Sequence, residues 1–183
     1  MNGDIIDGDN TTDSGHRITK RIIGIGGMTP VQLLEELGRC GVRLNDAART
    51  LLAGHRFPWS PERYELSTVE LSVRDLGLVK GAGISDVRSA AAAIGLLPPP
   101  VELAPYMRLQ YLDQPEGALG FPAMQHRAPP GSVTIASEPL SDDDDFPKGF
   151  YLRRIDGVLW LRGYMSGPDH IWNADDRLVF IAS

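Results

Sequence analysis

The side chains of this 183-residue chain that are equipped for chemistry are few, and their spacing limits what they can do. The histidines, His16, His55, His126 and His170, never stand two or four residues apart, so no helical zinc site is encoded. Cys40 is the single cysteine, which excludes an internal disulfide and a thiolate metal site. It follows Arg39 near the expected end of a helix, where the negative end of the macrodipole opposes a thiolate, so it reads as a packing residue. Asp142 to Asp145 lack the alternating ligands and internal glycine of a calcium loop and read as a solvated acidic loop. No metal and no cofactor is expected. None of Lys20, Lys80 and Lys148 follows a glycine and precedes Ser or Thr, so there is no phosphate-binding P-loop and no ATP-driven motor. Gly24-Ile25-Gly26-Gly27 lacks the third glycine of a dinucleotide turn, and a flexible leader is the expectation there. The remaining acid–base candidate is His126 with Asp113 or Glu116, all around one long loop, the constellation of a small hydrolase.

A different chemistry is written into Phe150 to Tyr164, F-Y-L-R-R-I-D-G-V-L-W-L-R-G-Y. Two runs of β-formers flank Asp156-Gly157, the pair that best tolerates the positive φ angles of a type I′ hairpin turn. A two-residue loop sets Ile155 opposite Val158, Arg153 opposite Trp160, Leu152 opposite Leu161 and Tyr151 opposite Arg162. Strand alternation then gives a core face of Phe150, Leu152, Leu159 and Leu161, with Arg154 near the turn. The second face carries Tyr151, Arg153, Ile155, Val158, Trp160 and Arg162. Tyr151, Arg153, Trp160 and Arg162 form two arginine–aromatic pairs, the geometry of cation–π contact and residue types enriched at binding hot spots. The competing expectation is that the N-terminal helices cover this face and its arginines extend past them to water.

The elements that must position these residues can be read in order. Residues 1–27 show no sustained periodicity and are expected to be a flexible tail, ahead of a single domain over 28–183. Thr29-Pro30-Val31-Gln32 opens a helix with a capping box, and Gly38 and Gly41 close it. Asn45 caps a second helix that Gly54 ends. Glu65 to Arg74 alternates as a half-buried strand, with Val69, Leu71 and Val73 inward. Ser85 is expected to cap a helix that turns Val87, Ala90, Ala91 and Ile94 inward before Gly95. Met107 to Leu112 alternates again and predicts a strand. Asp113 to Gly131 is a long loop, followed by strands near 131–137, the hairpin, and Arg177 to Ala182. The fold class expected is α+β: a mostly antiparallel sheet of five or six strands, an N-terminal helical hairpin and one further helix.

The net charge of −6 disfavours a nucleic-acid binder driven by phosphate contacts. The chain has no long apolar run that would cross a membrane and no basic-then-apolar start of a signal peptide, so the cytoplasm is the expected compartment. The segments M-R-L-Q-Y-L-D-Q-P-E-G, H-R-A-P-P-G-S-V-T-I-A-S and the hairpin, with V-Q-L-L-E-E-L and I-W-N-A-D-D-R-L-V-F, resemble a group of short bacterial proteins often labelled "helicase". The resemblance runs from about Met28 to the end and implies a small bacterial cytoplasmic protein, with no site residues to carry over. The expected function is a non-catalytic binding or regulatory module, its partner an unidentified protein or a small anionic ligand. The alternatives are the His126 hydrolase and a nucleic-acid accessory protein without motor activity.

Overall fold

The computed structural model describes residues 18–117 and 128–183. In the first half lie β1 (Thr19–Ile25), α1 (Pro30–Arg39), β2 (Arg43–Leu44), α2 (Asp46–Ala53), β3 (Tyr64–Ser72), α3 (Ile84–Ala93) and β4 (Leu96–Leu97). They are followed by α4 (Leu103–Gln110), β5 (Val133–Ile135), β6 (Gly149–Ile155), β7 (Val158–Tyr164) and β8 (Arg177–Ala182). The fold is α+β, as expected, but the sheet is larger and mixed. Its order is β1-β3-β8-β5-β6-β7-β2, with β4 also pairing β8. β5 runs parallel to β8, and β2 parallel to β7. Among the described residues no helix is long and apolar enough to cross a membrane.

Where signals were local, elements form as the sequence predicts. Thr29 accepts the Gln32 N–H at 3.4 Å, and the Gln32 side chain accepts the Thr29 N–H at 2.9 Å, completing the capping box of α1. Asn45 caps α2 by accepting the Ala48 N–H at 3.0 Å. The hairpin has the predicted register throughout. Asp156 and Gly157 take φ of 50° and 74°, the two positive values a type I′ turn requires.

Four expectations are corrected. The chain is already strand from Thr19, paired antiparallel with β3, so the expected tail cannot extend to residue 27. Ile23 and Ile25 drive this, burying against the core while Lys20 and Ile22 stay exposed. Met107 to Gln110 is the last turn of α4 rather than a strand. Leu103 through Arg108 are all buried, because the helix touches β1 at one end of the sheet and β6 and β7 at the other. The sheet curls around it, so α4 has no solvent stripe to give a helical period. Pro105 sits in the first turn, where its missing N–H has no intrahelical acceptor to lose. β3 is buried on both faces from Thr68 to Ser72, not half-buried. Finally, Gly83 rather than Ser85 is the cap of α3, and Ile94 is 61% exposed rather than inward.

The register assigns every strand residue a face. The inner face carries Ile23, Ile25, Val133, Ile135, Phe150, Leu152, Leu161 and Val179, packed against α1, α2 and α4. Each large apolar side chain fully buried there contributes about 1.5–3 kcal/mol. The outer face is covered by α3 only over β3 and β8, where Val87 and Ala91 meet Val69, Leu71, Leu178 and Phe180. The N-terminal helices therefore lie behind the hairpin's core face and leave its second face open to other cover.

Candidate functional site

On that outer face, three cross-strand rows run over β5, β6 and β7. Gly149 faces Tyr164, Thr134 faces Tyr151 and Tyr151 faces Arg162, and Arg153 faces Trp160, which in turn pairs with Arg43 of β2. A cleft of about 590 Å³ opens over the first two rows. Thr134, Tyr151 and Tyr164 form its floor, and Pro129 and residues 165–170 with Trp172 form its walls.

The walls are held by backbone geometry. Trp172 and Ala82 exchange two backbone hydrogen bonds, 2.9 and 3.0 Å. Gly81, at φ 79°, allows this approach, since a Cβ there would lie 2.4 Å from the Trp172 carbonyl oxygen. Trp172 then stands edge-on to Tyr164 at 5.8 Å and to His170 at 4.8 Å. Tyr164 lies across Gly149, whose missing Cβ would be 3.0 Å from the phenol oxygen. Burial pushes the Tyr164 phenol up to about 12, with Arg88 pulling the other way, so it stays a neutral hydrogen-bonding group. The cleft is thus aromatic and apolar, with Thr134, Ser166, Asp169 and His170 as polar points.

The predicted site residues divide. Tyr151 lines the cleft. Arg162 is its neighbour across the ladder and rests on Trp160, 5.1 Å from the ring centroid. Arg43 approaches the same ring at 5.9 Å. The cation–π contacts on Trp160 thus come from Arg162 and Arg43. Arg153 is only 8% exposed, its side chain close under Gly117, so it is not part of an open surface. Glu116 is engaged with the hairpin, 3.5 Å from Arg154 Nε and accepting the Gly157 N–H at 3.3 Å. Asp113 is exposed, and His126 lies outside the described residues. Cys40, expected to pack, is exposed at the α1 C-cap. Lys148 donates to the carbonyls of Ser141 and Asp143 at 3.2 and 2.7 Å, folding the exposed acidic loop around itself. Among the described residues no three His, Cys, Asp or Glu side chains gather where they would hold a metal ion.

A second cavity, about 660 Å³, lies between β1, the start of β3, α1 and α4. It contains Gly24 and Gly26, and here strand, glycine turn and helix do follow one another, contrary to expectation. The turn is nonetheless not an anion cradle. Gly27 N–H donates to the Ser60 carbonyl at 2.8 Å, Met28 N–H to the Tyr106 hydroxyl at 3.2 Å, and Thr29 N–H to Gln32. Pro30 has no N–H to offer. Buried Glu102 receives Ser60 and the Tyr64 hydroxyl, and burial raises the phenols of Tyr64 and Tyr106. These donors are already used within the protein.

The residues that sequence reasoning missed are Thr134, Tyr164, Trp172, loop 165–170 and Arg43. Tyr164 had a usable signal, its register position opposite a glycine. The others meet through the non-local pairings of β2, β5 and β8, which leave no local trace. No protein-family model matches the chain, and neither does any curated protein or solved structure.

Proposed function

We propose that the chain is a non-catalytic binding module whose site is the cleft over β5, β6 and β7. The observation that carries this is the placement of that cleft on the stretch of the outer face that no described helix covers, floored by Tyr151 and Tyr164. Its volume of about 590 Å³ suits a small organic molecule, since such sites run from about 300 to 1,000 Å³ with apolar walls and few polar groups. The hydrolase alternative draws no support from Glu116, whose carboxylate is tied to Arg154 and Gly157.

Titration of isotope-labelled protein with a panel of fragment-sized aromatic compounds tests the proposal. Amide shifts are expected to cluster at Thr134, Tyr151 and residues 165–172, and to vanish in Ser166→Trp, which fills the cleft from its wall. Shifts centred on the cavity between β1 and α4, or insensitive to Ser166→Trp, would refute it.

A further inference from the structure

Resting on the cleft as the binding site, we infer that Gln114, which lies outside the cleft, positions its Pro129 wall and so sets the size of ligand that the cleft admits.

Gln114 is only 1% exposed, and its carboxamide is used in full. Its Oε1 accepts from the Arg108 guanidinium of α4. Its Nε2 donates to the Gly131 carbonyl at 3.1 Å and to the Leu152 carbonyl of β6 at 3.0 Å. One acceptor facing a cation, with two donors facing two carbonyls, is a demand that glutamine meets and that glutamate, leucine or lysine does not. Arg108 is itself fully buried and also donates to the Tyr111 carbonyl, so the inner end of these bonds is anchored on α4. A buried polar network satisfied in this way is rigid.

The outer end reaches the cleft. Gly131, at φ 76°, lies in a turn that the Ser132 N–H closes by donating to the Pro129 carbonyl at 3.0 Å. Pro129 is one wall of the cleft, and Thr134, further along the same segment, belongs to its floor. The turn has no room to retreat. A Cβ on Gly131 would lie 2.7 Å from the Gly117 Cα, and the Gly117 N–H is tied to the Arg154 carbonyl of β6 at 2.9 Å. The opposite wall is different. Ser166, Gly167, Pro168 and His170 line the cleft on one side and a smaller cavity of about 190 Å³ on the other, so that wall has space to give. The fixed side of the cleft is therefore the Pro129 side, and Gln114 fixes it.

The test compares quinoline, a two-ring probe, with acridine, a three-ring probe, both neutral in mildly alkaline buffer. Dissociation constants are taken from amide shifts in the cleft. Gln114→Leu removes the donors to Gly131 and Leu152. It is expected to move the amides of Ala128, Ser132 and Thr134, and to change the affinity ratio in favour of acridine by about fivefold, the equivalent of about one hydrogen bond. Gln114→Glu keeps the acceptor for Arg108 but loses the same donors. It should shift the ratio in the same direction, and it serves if the leucine variant does not fold. Gln110→Ala, which loses the bonds to Gly24 of β1, controls for general loosening and should keep the native ratio. A native ratio in the Gln114 variants would overturn the positioning role and leave the cleft standing. An equal change in Gln110→Ala would overturn it as well, since loosening anywhere would then suffice. If neither probe shifts the cleft amides of the native protein, the cleft falls as the site and the role of Gln114 falls with it.

Discussion

The most consequential single residue outside the cleft is Glu70. It is 4% exposed, and its two carboxylate oxygens meet Arg21 of β1 and Arg177 of β8, both at 2.6 Å, so one side chain links three neighbouring strands. Arg21 also stacks on Tyr111, 3.9 Å from the ring centroid. Strand alternation had turned Glu70 toward solvent, because period two separates faces without saying what covers each. Glu70→Gln removes the negative charge that both guanidiniums share, and breaking a buried pair costs about 3–5 kcal/mol. Both arginines keep some solvent contact, so the expected loss in urea unfolding is nearer about 3 kcal/mol. Asp175→Asn is the control: it breaks the exposed Arg74 pair and should cost at most about 1 kcal/mol. Tyr164 gives a pH signature of opposite origin. Its folded pKa, about 12, lies above the ordinary value of 10. Below pH 10 the phenol is neutral in both states and contributes no slope. Between 10 and 12 the unfolded chain loses the proton first, so stability falls as pH rises. The total is about 2–3 kcal/mol. Tyr164→Phe should flatten that part of the alkaline stability profile and leave the neutral range unchanged in slope.

At the scale of elements, two carboxamides do work usually left to strands. Asn45 caps α2, and the same side chain accepts the Gly163 N–H at 2.8 Å and donates to the Gly163 carbonyl at 2.9 Å, completing β7 beyond the end of β2. Gln110 does the same for Gly24 on β1, with bonds of 3.1 and 2.7 Å. Both edges of the sheet are thereby sealed at a glycine, and Lys20 charges the remaining edge of β1, an arrangement that discourages strand addition. Asn45→Ala removes the cap and both ladder bonds at once. The expected destabilisation is about 2–3 kcal/mol, above the ~1 kcal/mol of a cap alone. Asn45→Asp keeps the cap oxygen but loses the donor, and should recover about half of the loss in thermal unfolding. The cap was legible in the sequence because Asn45 and Ala48 are three residues apart. The seal was not, because Gly163 lies 118 residues away. The same distinction separates the helices that were readable, α1 and α2, from α4. The first two have one buried stripe each and a cap at the start. α4 has burial on every side and no side-chain cap, so Met107, Leu109 and Tyr111 mimicked a strand.

At the scale of the whole molecule, β8 decides the topology. The last strand in sequence lies in the middle of the sheet, antiparallel to β3 and parallel to β5. Its pattern R-L-V-F-I-A gave its existence, while nothing local to it says which strands flank it. The hairpin's contribution to the cleft floor, Tyr151 opposite Arg162 and Tyr164 opposite Gly149, follows from a register that was legible for the same reason that its turn was. The other half, Thr134 and the walls from Met165 to Trp172, depends on β5 pairing with β8 and on Ala82 meeting Trp172, contacts between distant parts of the chain. This division predicts a gradient of hydrogen exchange. Leu178, Val179 and Phe180 are fully buried and have a strand on each side, so opening them means parting β1 and β3 from β5, β6, β7 and β2. Their amides should exchange only through global unfolding, with a free energy equal to that from denaturant titration. The cleft wall is held at Trp172, but Met165 and Ile171 are 51% and 52% exposed, and its internal backbone bond, His170 to Gly167, is long at 3.2 Å. Its amides should exchange by local opening, orders of magnitude faster than those of β8. The proposed binding role calls for that difference, a mobile wall on a sheet rigid enough to hold Tyr151 and Tyr164 in place. If residues 165–170 proved as protected as 178–180, the cleft would be a fixed groove, and ligand entry would depend on its open mouth alone.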